Sequence, residues 1–416
     1  MTSTEREVLH AQRVASEREG LLFDISTLKD SLPKGDTVIR HHVQQFEDLC
    51  KWVFSQLPSM YIHGQWKLEE PTFNSLVISV LGGKWVLLRQ VALQRAANSP
   101  YLDTLKDLDG FAEDCYQRLL SAVRYTCGLT DLSTSSPLAY LGTIARVFMF
   151  DEEAPCLISA PFGAANTKDS EGQKLCRQTI PHEASHAIFE QVPGLIDELK
   201  SKTASQLAKS GASARLRCTH PILLNWLNEI IADMAGTALA GEPFAHSASV
   251  IMIMPDRTVG LTDDEHPIPL IRPFIHAWVL QKTDPDSASG FKAFLEGLTG
   301  DYLDRNFESL PAIVSVTLKE VREEMIKLVG YIWDTKLETL NNHSLGEMLN
   351  AAATASTPSK AIQGVQTLPV WGKPQLSENE FIFKLVGRNN PGSPLPISPL
   401  YVEWLCNLGF TIFCNP

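Results

Sequence analysis

The feature of this sequence that most constrains the fold is a pair of histidines four residues apart inside an apolar stretch. Positions 180–189 read Ile-Pro-His-Glu-Ala-Ser-His-Ala-Ile-Phe. In an α-helix, residues four apart lie above one another on one face, so a helix here would bring both imidazoles to a single ion. The apolar neighbours indicate a buried helix, and buried ionisable groups need compensation, which a cation supplies. The sequence therefore predicts His182 and His186 as metal ligands on a helix over residues 174–191.

A catalytic metal site also needs a third protein ligand and a general base. Glu183 lies between the two histidines and is the predicted base, which takes the proton of an attacking water. Glu229 and Asp233 are four residues apart in a second apolar helical pattern over residues 222–240, so both carboxylates share one helix face. We predict Glu229 as the third ligand and Asp233 as the acceptor for the free ring N–H of a ligand histidine. His220 is an alternative third ligand, although its position before a proline favours a role at a helix start.

These two segments together resemble the gluzincin metallopeptidases, in which an H-E-x-x-H helix is followed by an N-E-x-x-A-D helix. The matching residues are His182, Glu183, His186, Glu229 and Asp233. The resemblance implies a zinc ion as the cofactor, with Glu229 as the third ligand and Asp233 orienting a ligand histidine.

A later segment extends the resemblance to the CAAX prenyl protease-type peptidases. Residues 266–272 read His-Pro-Ile-Pro-Leu-Ile-Arg, similar to the H-P-x-x-x-x-R segment that follows the third ligand in that family. This implies that His266 and Arg272 lie near the reacting carbonyl. Apart from the resemblance, His276 lies one turn beyond Arg272 and is a weaker candidate for the transition-state contact. The whole resemblance covers residues 176–272, under a quarter of the chain. It supports a catalytic core only, because the gap between the two motifs is longer than in thermolysin-like enzymes and the family's membrane-spanning helices have no counterpart in this sequence.

The residues and the resemblance predict a zinc metallopeptidase that hydrolyses a peptide or protein substrate with a water activated by Glu183. Two alternatives stay open. The first is a zinc hydrolase of a non-peptide amide or ester, because a metal site polarises any carbonyl. The second is an inactive metal-bound scaffold or sensor, against which the intact Glu183 argues, since a structural site has no use for a base.

The pattern along the chain predicts a mainly α fold of the α+β class in three parts. Residues 1–130 form a helical N-terminal region, and residues 131–354 form a zincin-like domain with a small sheet and an active-site helix. Residues 355–416 form a proline-rich tail that docks on the body. Either the N-terminal helices or the tail could restrict access to the site.

Within the second part we predict two strands and three further helices. The predicted strands cover residues 144–150 and 156–162, and the second of them is expected to be an edge strand that pairs with an extended peptide. The predicted helices cover residues 273–281, 288–298 and 313–340.

The composition of the chain limits the cellular locations and the classes of partner that we expect for it. The net charge of −12 argues against a nucleic-acid partner, because there is no excess of basic residues to neutralise phosphates. The N-terminus has no apolar run, and no stretch reaches about 18 uninterrupted apolar residues, so we expect neither an export signal nor a membrane span. The eight dispersed cysteines read as free thiols, which fits a cytoplasmic protein.

Overall fold

The computed structural model describes most of the chain up to Ala355. The described residues are 3–32, 37–63, 70–96, 99–130, 132, 137–142, 146–148, 157–165, 177–252, 266–299 and 316–355. Contacts divide them into two compact units, one within residues 1–97 and the other within residues 98–369. The predicted mainly α fold with a small sheet is confirmed. The predicted tail lies outside the described residues.

The first unit consists of three long helices that pack against one another: α1 (Ser3–Ser31), α2 (Thr37–His63) and α3 (Glu70–Gln94). Their apolar positions recur at helical spacing and meet in a core where Phe46 stacks on Trp85, with ring centroids 5.9 Å apart. Trp85 also donates a 2.7 Å hydrogen bond from its indole Nε1 to Asp24. These contacts join all three helices, since each residue comes from a different one.

Among the described helices, one stretch is long and apolar enough to cross a membrane by length and composition, namely Phe73–Gln94 in α3. The core helix of a soluble protein passes the same test, and part of this stretch is buried against α1 and α2. On its own, the stretch is therefore weak evidence for a membrane-spanning helix. The cytoplasmic location and the lack of a membrane span stay predictions.

The second unit contains the two helices that carry the predicted metal ligands, α5 (Ile180–Phe189) and α9 (Leu227–Met252). Its helices are α4 (Leu102–Cys127), α5 (Ile180–Phe189), α6 (Leu195–Lys209), α7 (Ala214–Arg217), α8 (His220–Asn225), α9 (Leu227–Met252), α10 (Arg272–Thr283), α11 (Pro285–Thr299), α12 (Leu318–Asp334) and α13 (Leu345–Thr354). Its strands are β1 (Leu138–Gly142), β2 (Arg146–Phe148), β3 (Leu157–Pro161), β4 (Lys336–Leu337) and β5 (His343–Ser344). The helix predicted over residues 313–340 is shorter than expected, because it ends at Asp334 and the small β4–β5 hairpin follows.

Helix α4 belongs to the second unit, so the division between the units lies earlier than the predicted boundary near residue 130. The reason is packing. Leu108 and Leu119 of α4 are fully buried in the same core as Ile180 and Ile188 of α5. A helical pattern alone does not indicate which core a helix joins, and here α4 joins the core that contains the apolar side chains of α5.

The main sheet has the strand order β1-β3-β2, with β1 parallel and β2 antiparallel to β3. The prediction that the strand over residues 156–162 lies at an edge is therefore wrong, because β3 has a partner on both sides. Strand β1 was not predicted, since it is buried along its whole length and lacks the alternation that marks a half-exposed strand. The outer strand nearest to α5 is β2.

Helix α9 breaks where the sequence predicted its end and then continues in a new direction. At Gly241 the backbone has φ 63° and ψ −147°, which glycine adopts far more readily than other residues. The break leaves the Leu239 carbonyl without a helical partner, and Arg118 of α4 donates to it at 2.8 Å. Arg118 also donates to Ala352 and Ala353 at the end of α13. The partly buried guanidinium of Arg118 thus links the half of α9 that carries the predicted ligands to α4 and α13.

Glu198 of α6 anchors the turn between β4 and β5. Its carboxylate accepts hydrogen bonds from the backbone N–H groups of Glu338 at 2.7 Å and Thr339 at 2.9 Å, and it pairs with Lys202 at 2.8 Å. Burial opposes ionisation, but these donors lower the pKa of Glu198 from 4.5 to about 2. The stabilisation is thus present above pH 4.5 and is lost as the pH falls towards 2.

We expect Glu198→Gln to lower the free energy of unfolding by about 1–3 kcal/mol at pH 7, because hydrogen bonds to an ionised acceptor are replaced by neutral ones. At pH 3 the difference from the unmodified protein should be smaller. Urea unfolding at both pH values measures this. An equal loss at pH 7 and pH 3 would show that the charge of Glu198 does not contribute.

Candidate metal centre

Helices α5 and α9 pack side by side and bring three predicted ligands together. Pro181 lies in the first turn of α5, where a proline is tolerated, and the apolar side chains of this helix are buried in the core. His182 and His186 therefore project from one face of α5 towards α9. Their Nε2 atoms lie 3.1 Å apart, and each lies 3.2 Å from one carboxylate oxygen of Glu229.

These separations fit ligands around one tetrahedral ion. Metal–ligand bonds of about 2.0–2.1 Å, typical of zinc with imidazole and carboxylate ligands, place tetrahedral ligand atoms about 3.3 Å apart. His182, His186 and Glu229 are the group in the described part of the chain whose donor atoms lie close enough to hold a metal ion. If these three residues bound one zinc ion, a fourth position would stay open, which is the arrangement of catalytic rather than structural zinc sites.

The buried charges around the ligands also match a divalent cation. Glu183 and Asp233 are buried, as is Arg272, and the side chain of Glu229 is only 12% exposed. When ionised, the three carboxylates and one guanidinium carry a net charge of −2. An uncompensated buried charge of this size is costly, and a divalent ion neutralises it.

Asp233 fixes the orientation of one histidine. Its side chain is fully buried, and its Oδ1 lies 3.0 Å from Nδ1 of His182. Because a carboxylate accepts, this contact assigns the proton to Nδ1 and leaves the Nε2 lone pair for the ion. The structure therefore brings Asp233 to the position that the sequence predicted for it. For His186, Nδ1 has no hydrogen-bond partner among the described residues.

Arg272 lies in a different place from the one expected for a transition-state contact. Its Nε and Nη2 donate to the two oxygens of Asp233, both at 2.7 Å, and Nη2 also lies 3.4 Å from Glu229. The arginine is thus committed to the carboxylates behind the metal site. The sequence contained a signal for this, since an arginine between Ile271 and Pro273 in an apolar run is expected to be buried and to need a carboxylate partner.

His266 lies at the rim of the site. Its side chain is 49% exposed, and its Nε2 is 3.8 Å from Glu229, too far for a hydrogen bond. It belongs to no cluster of potential ligands in the described residues, whereas its position beside the ligand carboxylate leaves it accessible to a bound substrate. His220, the alternative third ligand, opens α8 and is not part of the ligand group.

A second layer behind Asp233 was not predicted. Thr237, one turn further along α9, donates to the Asp233 carbonyl and lies 2.9 Å from Nδ1 of His276. His276 is fully buried, and the ring of Phe244 packs on it edge to face. Burial lowers the pKa of His276 to about 4, so its imidazole is neutral. Its burial is incompatible with the weak expectation that it contacts substrate.

The ionisation of the ligands in the metal-free protein follows from their neighbours. Burial would lower the pKa of His182, but the charge of Glu229 and the hydrogen bond to Asp233 outweigh it and raise the pKa to about 10. Burial raises the pKa of Glu183, an effect that the nearby histidines reduce. The metal-free site thus holds a proton on His182 where an ion would bind, and metal binding must displace it.

Comparison with known proteins adds no assignment to this geometry: no family model, no curated protein and no solved structure matches the chain.

Proposed function

We propose that this chain is a metal-dependent hydrolase, and in particular a zinc metallopeptidase. The observation that carries the proposal is the ligand geometry: Nε2 of His182 and Nε2 of His186 lie 3.1 Å apart, and each lies 3.2 Å from one of the two carboxylate oxygens of Glu229. Glu183, between the two histidines in the sequence, is buried. Imidazole and carboxylate ligands at these spacings suit zinc, and a three-ligand site leaves room for a substrate.

The proposed mechanism assigns one task to each residue around the ion. A zinc ion bound here would polarise a carbonyl and increase the acidity of water. Glu183 accepts the proton of the attacking water and passes it to the leaving amine. Asp233 holds His182 in the tautomer that presents Nε2, and His266, which is exposed beside Glu229, donates a hydrogen bond to the developing oxyanion.

A peptide is the favoured substrate because of where the sheet lies. Strand β2 is an outer strand of the described sheet and contacts α5, the helix that carries the histidines. Its outer edge can pair with an extended peptide through backbone hydrogen bonds, which an amide or ester without a peptide backbone cannot use. β2 takes the role that the sequence had assigned to β3.

The test combines metal analysis with a search for cleavage. The purified protein should contain close to one zinc ion per chain by elemental analysis. When it is incubated with a library of peptides from a digested proteome, mass spectrometry should detect new termini that disappear with a chelator and return with zinc. Cleavage that a chelator does not reduce would contradict the proposal. Chelator-sensitive hydrolysis of ester or amide compounds with no peptide cleavage would favour the non-peptide alternative.

Substitution of His266 by alanine should reduce kcat by about 10²–10³-fold, because a lost oxyanion donor costs about 3–4 kcal/mol in the transition state. The zinc content and KM should change little, since His266 lies outside the ligand group and its contact is made only in the transition state. Steady-state kinetics and elemental analysis on the same preparation measure this. Loss of zinc in His266→Ala would instead indicate that this histidine is a ligand.

A further inference from the structure

Arg272 is a buried positive charge near the site, and it contacts two carboxylates of α9, Asp233 and Glu229. Nε and Nη2 donate to Asp233 in a two-point contact, and Nη2 reaches Glu229 one turn earlier on the same helix. A two-point contact between a guanidinium and a carboxylate fixes the plane of both groups. Since Asp233 in turn holds Nδ1 of His182, one unbroken chain of contacts runs from Arg272 to the ion-binding nitrogen.

We propose that Arg272 is a positioning residue that sets the geometry and the charge of the metal site through Asp233 and Glu229, and that it does not contact substrate. The inference deepens the proposed function and rests on it for the identity of the ion. The hydrogen bonds of Arg272 are seen in the structure whichever reaction the site carries out.

The guanidinium of Arg272 is already hydrogen-bonded to α9, which argues against a contact with substrate. Two of its three nitrogens are engaged by α9, and the side chain is only 10% exposed. A donor for an oxyanion must be accessible to a substrate, and His266, 3.8 Å from Glu229, has a side chain that is 49% exposed. Moving Arg272 towards a substrate would also leave the buried charge of Asp233 with only the ring N–H of His182 as a partner, which is unfavourable.

The packing of α9 against α10 holds Arg272 in this position. Asp233 and Thr237 are one turn apart on α9, and their partners Arg272 and His276 are one turn apart on α10. The two helices are therefore linked twice on the same faces. The contact between Thr237 and His276 is between neutral groups, so it adds no further positive charge beside Arg272.

The experiment measures metal affinity and needs no substrate. Zn²⁺ affinity is determined with a competing chelator, and the visible spectrum of the Co²⁺-substituted protein reports the coordination geometry. The variants are Arg272→Gln, Asp233→Asn, the double variant carrying both, and Arg272→Lys. Arg322→Gln is the matched control, because Arg322 packs on Phe274 of α10 without touching the site.

Arg272→Gln and Asp233→Asn should each weaken Zn²⁺ binding by about 10–100-fold and alter the Co²⁺ spectrum, the usual effect of losing an outer partner of a ligand. If Arg272 acts through Asp233, the double variant should bind Zn²⁺ no more weakly than the single variant with the lower Zn²⁺ affinity. Arg272→Lys should recover part of the affinity, because it restores the charge without the two-point contact. Arg322→Gln should bind as the unmodified protein does.

Two results would overturn the inference. One is a double variant whose loss of affinity is the product of the two single losses. The other is an Arg272→Gln variant with unchanged affinity and spectrum. If the unmodified protein binds neither ion, the proposed function fails, and the inference is then decided by the unfolding of the metal-free variants in urea. Coupled effects of the two substitutions on stability would support it, and additive effects would refute it. A double variant that folds where a single variant does not also counts as coupling.

Discussion

Substitution of Glu183 by glutamine is expected to leave the zinc in place and to lower kcat/KM by about 10²–10⁴-fold, the usual contribution of a positioned general base. Glutamine keeps the shape of the side chain but cannot accept the proton of the attacking water. The fold should be unaffected, because Glu183 is not among the ligands, and its replacement removes a buried charge rather than adding one.

Zinc content, the melting temperature and the rate of peptide cleavage should be measured on one preparation of Glu183→Gln. The control is Glu242→Gln, the same chemical change at a partly exposed position on α9 beyond the break at Gly241. Unchanged turnover in Glu183→Gln would refute the hydrolase mechanism. Loss of zinc in that variant would show that Glu183 is a ligand rather than a base.

The parts of the site that could be predicted from the sequence are those set by spacing within one helix. His182 and His186 are four residues apart on α5, and Glu229 and Asp233 are four apart on α9, so helical geometry places each pair on one face. The apolar surroundings of both pairs indicated burial. Burial in turn indicated that each charged group needs a partner.

The contacts between helices could not be predicted in the same way. Arg272 was expected near a reacting carbonyl, yet it binds Asp233, because α10 packs along α9. Similarly, the apolar run that forms β3 indicated a strand but not its place between β1 and β2. Strand order and helix contacts depend on which faces pack together. A local sequence pattern shows which face of an element is apolar but not which face of another element it packs against.

The distinction between a ligand and its outer partner predicts unequal effects on zinc binding. Apparent binding free energies of about 10–16 kcal/mol for four-ligand zinc sites correspond to roughly 2.5–4 kcal/mol per ligand. Glu229→Gln removes one such bond, and its zinc affinity should therefore fall by about 10²–10³-fold. Asp233→Asn removes an outer contact to His182, for which about 10–100-fold is expected. The ranking depends on Glu229 being the third ligand, as its 3.2 Å distances to both histidines indicate.

The two variants should be compared by chelator competition at one pH, because metal binding displaces a proton from His182 and the affinity therefore depends on pH. Asparagine is preferred to alanine at Asp233, since alanine would leave the buried Arg272 with only the 3.4 Å contact to Glu229 and could unfold the site for that reason alone. An equal loss in both variants would mean that Glu229 is not a closer partner of the ion than Asp233. Full zinc retention in Glu229→Gln would mean that the third ligand is another residue, and His266, 3.8 Å from Glu229, would be the first to test.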